Sequence, residues 1–238
     1  MRPELKKYLT EKYSYKIEMH AHSNPASRCS EIPPEDLVRH YKDKGYDAVV
    51  LTNHFVHRPV EEKRAAVETQ LTDYRKACEA GEKLGIRVLL GAEIRFAGET
   101  NDFLLYGVDE NILLSVFDHL GNGLPAFREN FKLEKSLLIQ AHPFRASCQV
   151  ADSRLLDGIE VINLHPHHNS NVHLGMIHAK EHPELIRTAG SDYHHDKPGH
   201  CGTSAMRFPV LPKDSFELAE LLRKRDYLIE VLDTIVIP

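Results

Sequence analysis

With 238 residues, 42% of them hydrophobic and 27% charged, the chain can build one sizeable core and has the make-up of a globular protein. A net charge of −5 and a sequence pI of about 6.3 exclude a basic field for non-specific binding to long nucleic acid. No run approaches the ~20 apolar residues of a membrane-spanning helix, so no membrane partner is expected.

Four cysteines, Cys29, Cys78, Cys148 and Cys201, form no C-x-x-C pair, which argues for reduced thiols over a disulfide frame or zinc ribbon. The opening stretch MRPELKKYLTEKYSY has no apolar signal core, and a cytoplasmic location is the default expectation. The 16 histidines are the compositional outlier, and several fall between His165 and His200.

In chain order, residues 1–15 are charged and Tyr-rich and read as an extension, a short helix lying over one end of the fold. Lys16 to His22 reads as a strand, and because alternate residues of a strand share a face, His20 and His22 project together. A loop holds Arg28 and Cys29. Pro33 and Pro34 then open a helix with Leu37, Val38 and Tyr41 inward, ended by Gly45. Asp47 to His54 is a nearly continuous apolar run of the buried parallel kind.

Val60 to Leu84 reads as the longest helix. Val67, Leu71, Tyr74 and Cys78 lie on its apolar face, and Asp73 stands with Glu61, Glu62, Lys63 and Arg64 on the solvated one. Strands follow over Arg87 to Phe96 and Asp102 to Val108. A helical stretch over Glu110 to Lys135 is interrupted by Gly121, Gly123 and Pro125. Ser136 to His142, Gly158 to Leu164 and Ile186 to Asp192 are further strands, with a helix at Val172 to Glu181 between the last two. Ser204 to Pro209 is a candidate strand, Phe216 to Leu222 a last amphipathic helix, and Tyr227 to Ile237 a closing segment rich in β-branched residues.

Alternating strands and helices predict an α/β fold with parallel strands and right-handed crossovers, and seven or eight such units ordinarily close into a barrel whose chemistry sits at the C-terminal strand ends. Apolar runs end there in His20 and His22, His54, Glu93, His142, and Asp192 with His194. Imidazole and carboxylate are the ligand types of Zn²⁺, Mn²⁺ and Fe²⁺ sites.

The motifs HAH at 20–22, TNH at 52–54, GAE at 91–93, AHP at 141–143 and GSDYH at 190–194 resemble, in order, those of the PHP (polymerase and histidinol phosphatase) family of metal-dependent phosphoesterases. GIEVIN at 158–163 matches a stretch of that family that supplies no ligand. The resemblance implies a distorted (β/α)7 TIM-like barrel, here a single domain over 16–238, with two or three divalent ions. It implies a first ion on His20, His22, Glu93 and Asp192, a second bridged by Glu93 and held by His142, and a third on His54 and His194. The sequence departs from the family in the loop NPASRCSE, where Cys29 and Glu31 are the substitutes for a missing ligand. It departs again at Asn53, which stands where the family carries Asp, and in lacking a clear histidine between the third and fifth strands, where His119 is the one candidate.

Closely spaced cations can clamp the attacking and leaving oxygens of a phosphate ester, and a hydroxide held between them is the expected nucleophile. The expected substrate is a small phosphomonoester or phosphodiester, a nucleotide or short oligonucleotide among the options. Arg145 is the preferred phosphate ligand, with Arg95 and Arg28 as further candidates, because guanidinium matches phosphate oxygens. His195 is the candidate acid for a leaving alkoxide. His165 to Asn169, with His168 nominated for substrate contact, follows a strand end, while His200 and Cys201 lie in a candidate lid. His40, His57, His173, His178 and His182 read as surface residues. The competing readings are a metal-stabilised binding or regulatory module without turnover, and a metal-dependent amidohydrolase.

Overall fold

The computed structural model describes residues 1–238, in which the apolar runs become short strands and the amphipathic stretches helices packed against them. In order these are α1 (Pro3–Lys12), β1 (Tyr15–Ala21), α2 (Pro34–Asp43), β2 (Ala48–Leu51), β3 (His54–Val56), α3 (Lys63–Leu84), β4 (Arg87–Leu90), β5 (Ala92–Arg95) and β6 (Phe103–Tyr106). They continue as α4 (Glu110–Phe117), α5 (Gly123–Asn130), β7 (Leu137–Gln140), β8 (Gly158–Asn163), α6 (Val172–Glu181), β9 (Ile186–Gly190), β10 (Ser204–Phe208), α7 (Ser215–Lys224), β11 (Leu228–Val231) and β12 (Thr234–Val236). No helix is long and apolar enough to cross a membrane.

The strands form two six-stranded sheets, β12-β11-β10-β1-β2-β4 and β3-β5-β6-β7-β8-β9. Pairing is parallel for β1 with β2, β2 with β4, β3 with β5, and β7-β8-β9. It is antiparallel for β5-β6-β7 and for β1-β10-β11-β12, so the fold is mixed α/β where alternation alone predicts a parallel sheet. For β5 and β6 the reason is chain length: the short link between Arg95 and Phe103 cannot make the crossover of a dozen or more residues that parallel strands need.

Two predicted strands are each split in two. The run 47–54 breaks at Thr52 and Asn53, and the run 87–96 breaks at Gly91, so that β2 leads directly into β3 and β4 into β5, passing from the first sheet to the second. At the opposite flank β9 meets β1. Ala21 and Tyr193 form a parallel bridge, the His22 N–H donates to the Tyr193 carbonyl at 3.1 Å, and the Asp192 N–H donates to the His20 carbonyl at 2.8 Å. Residues of both sheets share one core, with Ile17, Met19 and Val50 of the first packed with Ile94, Leu104, Ile139, Ile159 and Ala189 of the second. Strands β2, β6, β7 and β8 are buried along their whole length, as the unbroken apolar runs of β2 and β6 require; in β7 and β8 the burial takes in the polar Gln140, Glu160 and Asn163 as well. Each such Leu, Ile or Phe contributes about 1.5–3 kcal/mol on burial.

The long helix α3 ends at Gly85, in the left-handed conformation at φ 67° that glycine adopts without cost. Its Asp73 does not face solvent as its neighbours suggest. It is fully buried and accepts hydrogen bonds from Ser23 Oγ (2.8 Å) and the Ala26 N–H (3.1 Å), because the first loop folds back onto α3 and its donors need an acceptor there. The closing segment is a hairpin of β11 and β12, whose Leu228 and Ile235 pack with Tyr13 just beyond α1.

Candidate metal centre

His20 and His22 leave the end of β1 on one face, and Glu93 of β5 reaches both. Its Oε1 lies 3.3 Å from His20 Nε2 and its Oε2 3.3 Å from His22 Nε2. The same carboxylate stands 3.1 Å from His142 Nε2 and 2.8 Å from His54 Nδ1. Asp192 Oδ1 lies 3.4 Å from His20 Nε2 and 3.3 Å from both His22 Nε2 and His194 Nδ1. His20, His22, His54, Glu93, His142, Asp192 and His194 thus meet at one end of the strands. Four trios each have their donor atoms within 4.8 Å of one another: His20, Glu93 and His142; His20, His22 and Asp192; His22, His54 and His194; and His54, Glu93 and Asp102.

The backbone gives way to place them. Two nominated residues lie past their strands with left-handed backbone, His142 at φ 30° and Asp192 at φ 53°, a conformation that non-glycine residues adopt at a cost of roughly 1–3 kcal/mol and that gathers at functional sites. Gly190 makes the approach of β9 possible: a Cβ there would stand 2.3 Å from His20 Cβ and 2.7 Å from Glu160 Oε1.

Three buried polar atoms in this cluster, His20 Nε2, His22 Nε2 and Glu93 Oε2, have no hydrogen-bond partner. Glu93 Oε2 is close to His54 Nδ1 but not aligned for a hydrogen bond. Buried polar atoms are paired in the great majority of cases. Unpaired imidazole and carboxylate atoms converging on one volume fit divalent cations, and a mixed nitrogen and oxygen set suits transition metals.

Electrostatics agrees with this reading. Glu18, Glu93, Asp102, Glu160 and Asp192 are all buried around the centre, and such a concentration of acids needs compensating positive charge. Burial pushes the Glu93 carboxyl up, but His20, His54 and His142 outweigh it and hold it well below the usual range. Asp192 is likewise held low against burial by His20, His22 and Arg145. Burial works against a charged His20, yet Asp192, Glu160 and Glu93 raise it well above the ordinary value. For His22 burial wins, helped by the neighbouring His194 and His54 rings, and its pKa is lowered well below that of a free imidazole.

A cavity of about 310 Å³ opens over the cluster, lined by His54, Glu93, His142, Asp192 and His194 together with Cys29, Arg95, Asp102, Arg145, His165, His167, His168 and His195. Arg145 donates to Asn163 Oδ1 at 2.7 Å and to Asp192 Oδ2. Arg95 forms a two-pronged pair with Asp102 at 2.6 and 2.7 Å. His168 and His195 stand at the cavity wall, whereas Arg28 is exposed and does not line it. In the first loop, Cys29 lines the cavity with His54 and His194, while Glu31 turns outward to the His195 ring at 3.6 Å and accepts from the Asp196 N–H. His119 packs its ring against Phe127 and Phe131, away from the centre. His40, which reads as a surface residue, is half-buried with its Nδ1 2.9 Å from the Tyr193 hydroxyl.

A family model described as the PHP domain matches residues 18–231. The chain belongs to the PHP family. A search of curated proteins found no match. Among solved structures, one neighbour is the protein from Bifidobacterium adolescentis described as a candidate metal-dependent phosphoesterase, 17% identical with a TM-score of 0.54 over 87% of this chain and 95% of that one. A second is a two-domain protein from Bacteroides vulgatus described as containing a predicted PHP-like metal-dependent phosphoesterase. It is 18% identical with a TM-score of 0.57 over 93% of this chain and 66% of that one. A third is an amidohydrolase from Chromobacterium violaceum with bound sulfate and no metal, 16% identical with a TM-score of 0.50 over 78% of this chain and 93% of that one. These neighbours share the fold of this chain; a metal-dependent hydrolase is supported at the level of the PHP family.

Several residues of this PHP site are absent from the motif reading. Asp102 joins the trio with His54 and Glu93. Glu160, in a stretch taken to carry no ligand, holds the ligands instead: it stands 2.9 Å from His20 Nδ1 and accepts the His142 N–H at 3.0 Å. Glu18 accepts the N–H groups of His20 (2.9 Å) and Ser191 (3.0 Å), tying β1 to β9 just before both ligand-bearing ends; burial raises its carboxyl to about 7 against these bonds. The signal for Glu18 and Glu160 is an acid inside a wholly buried apolar run, which must find a partner.

Proposed function

We propose that the chain is a metal-dependent phosphoesterase acting on a small phosphomonoester or phosphodiester. The observation that carries the proposal is the convergence of His20, His22, His54, Glu93, His142, Asp192 and His194 around three buried atoms that lack partners. His20, His22, Glu93 and Asp192 are read as the residues that would hold one cation, Glu93 and His142 those that would hold a second, and His54 and His194, with Cys29 as the closing donor, those that would hold a third. Zn²⁺, Mn²⁺ and Fe²⁺ are the candidates; when bound, such ions supply charge neutralisation and an activated water. Asp102 joins the second or third position. The two sheets, continuous through β2–β3 and β4–β5 and meeting again where β9 lies against β1, are read as the distorted (β/α)7 barrel, with residues 1–15 an extension of that domain.

Arg145 reaches into the cavity from the loop after β7 and is read as the phosphate ligand. Part of its guanidinium is engaged by Asn163 and Asp192, which fixes the direction of the rest. Arg95, locked to Asp102, shapes the wall and contributes field more than direct contact. His195 at the rim is within the cavity where a leaving alkoxide would depart and is placed to give it a proton. The lining contains Cys29 as its one hydrophobic residue, so the reading favours a hydrophilic substrate over one with a large apolar group.

The test is metal analysis of the purified chain together with hydrolysis of a panel of phosphomonoesters and diesters in Mn²⁺, Zn²⁺ or Fe²⁺. His20→Ala is expected to lose both metal and turnover. Tight metal binding with no turnover across the panel would favour a non-catalytic module. Cleavage of C–N bonds with indifference to inorganic phosphate would favour an amidohydrolase, the reading suggested by the third structural neighbour.

A further inference from the structure

The hydrogen bonds behind His22 form one connected chain that ends on Asp73. Asn53 Oδ1 receives the Ser23 backbone N–H at 2.7 Å, a group that can only donate, and this fixes which way the Asn53 amide faces. Ser27 Oγ receives the His54 backbone N–H at 2.9 Å and gives its single proton to Asn53 Oδ1 at 3.0 Å. With the proton placed that way, Ser27 Oγ accepts from His22 Nδ1, 3.0 Å away. In this arrangement His22 carries its proton on Nδ1, and its buried Nε2, which has no hydrogen-bond partner, turns a lone pair toward Glu93 and Asp192. On the far side of the amide, Asn53 Nδ2 donates to Ser23 Oγ at 2.9 Å, and Ser23 Oγ donates to Asp73 Oδ2 at 2.8 Å. His22, Ser23, Ser27, Asn53 and Asp73 are all buried.

We propose that Ser27, Asn53, Ser23 and Asp73 are positioning residues that lock His22 in its Nδ1–H tautomer and so present Nε2 to a cation, with Asp73 on α3 as the negative end of the chain of bonds. The inference rests on His22 being a metal ligand. A carboxylate at position 53 would be wrong here: it has no proton for Ser23 Oγ, which would then sit between two acceptors. The acid has instead moved one hydroxyl outward to residue 73, and the amide between transmits the polarity while being unable to pass a proton along. With Nδ1–H held by Ser27, Nε2 is the atom left to face a cation, the form in which imidazole ligates metal.

The test uses the full-length chain with two readouts: long-range ¹H–¹⁵N correlation spectra of the histidine rings without metal, and Zn²⁺ affinity by competition with a chromophoric chelator. The wild-type spectrum is expected to show His22 protonated on Nδ1, and Ser27→Ala to show a mixture of tautomers. Asn53→Asp is expected to weaken Zn²⁺ binding about 10–100-fold. Adding Asp73→Asn to Asn53→Asp is expected to recover part of that loss, because the amide introduced at position 73 can donate to Ser23 Oγ, which is then free to donate to the carboxylate introduced at position 53; the recovery is partial because the Ala26 N–H shares Asp73 Oδ2 and loses its acceptor. A purely packing role would make the two substitutions additive. The proposal is overturned if wild-type His22 carries its proton on Nε2, a measurement that needs no variant. It is equally overturned if Ser27→Ala leaves the tautomer unchanged or the double variant binds no better than Asn53→Asp. A wild-type chain that keeps the Nδ1–H spectrum but takes up no Zn²⁺ would overturn the metal-centre reading and the positioning role with it, whereas Zn²⁺ uptake with the wrong tautomer would overturn the positioning role alone.

Discussion

Glu160→Gln isolates what the buried acid behind His20 contributes. One carboxylate oxygen faces His20 Nδ1 at 2.9 Å; the other accepts the His142 N–H at 3.0 Å and Asn163 Nδ2 at 2.9 Å. The carboxylate can accept from all three, and a His20 ring that donates from Nδ1 leaves Nε2 as the atom for a cation. A glutamine keeps the shape but offers one oxygen, and its NH₂ must face a donor. If the NH₂ faces His20, the ring can relieve the conflict only by moving its proton to Nε2, where it blocks the cation. If it faces His142 and Asn163, two buried donors go unmet at about 1–3 kcal/mol each. The first route costs less and acts on the metal. The loss expected of an outer partner of this kind is about 10–100-fold in affinity, equal to about 1.4–2.7 kcal/mol. Chelator competition with Zn²⁺ measures it, and circular dichroism checks that the variant folds. A folded Glu160→Gln chain that binds Zn²⁺ as tightly as the wild type would refute the assignment of Glu160 to ligand orientation.

Gly190→Ala places a methyl against His20 Cβ and Glu160 Oε1; overpacking of this sort costs roughly 1–3 kcal/mol, so a lower Tm and weaker Zn²⁺ uptake are expected together in thermal melts with and without metal. Arg145→Ala removes a charge-assisted donor worth about 1.5–3 kcal/mol, and should weaken inhibition by inorganic phosphate and lower kcat/KM on any phosphate ester turned over, with metal content retained. Without metal, His142 is raised to about 9: burial opposes its charge, but Cys148 and Glu93 outweigh burial. A raised histidine stabilises the folded chain below its unfolded pKa of about 6.5, and that stabilisation is lost as pH rises toward 9. The Tm of the chelator-treated chain should therefore fall across that window, while Zn²⁺ affinity rises as the competing proton leaves; a metal-free Tm rising from neutral to alkaline pH would count against the ring's placement beside Glu93.

The convergence of the nominated side chains was legible in the sequence because two features coincide at the end of each apolar run: a period of two that fixes the facing side, and a residue type able to ligate a metal. His20, His22, His54, Glu93, His142, Asp192 and His194 all combine a ligand atom with such a position. Strand direction was not legible. Apolar runs look alike in either sense, and the antiparallel β5-β6-β7 path shows only in the short link before β6. Breaks such as the one at Gly91 also leave no mark in a hydrophobic pattern that continues on both sides.

The supporting shell divides along a physical line. Glu18 and Glu160 each sit between buried apolar neighbours, Ile17 and Met19 in β1 and Ile159 and Val161 in β8, and an ionised acid there is too costly to stand without donors, so the run itself reports that a partner exists without saying which. Asp73 gives no such report, because it lies on a long amphipathic helix among charged neighbours and its partners, Ser23 and Ala26, arrive from a loop about fifty residues away in sequence. Ser27 and Asn53 were visible as polar residues but not as donors or acceptors, since that depends on which backbone N–H groups approach them. Direction of hydrogen bonding is thus the last property to emerge from sequence and the one that decides whether an imidazole at this centre offers a lone pair or a proton.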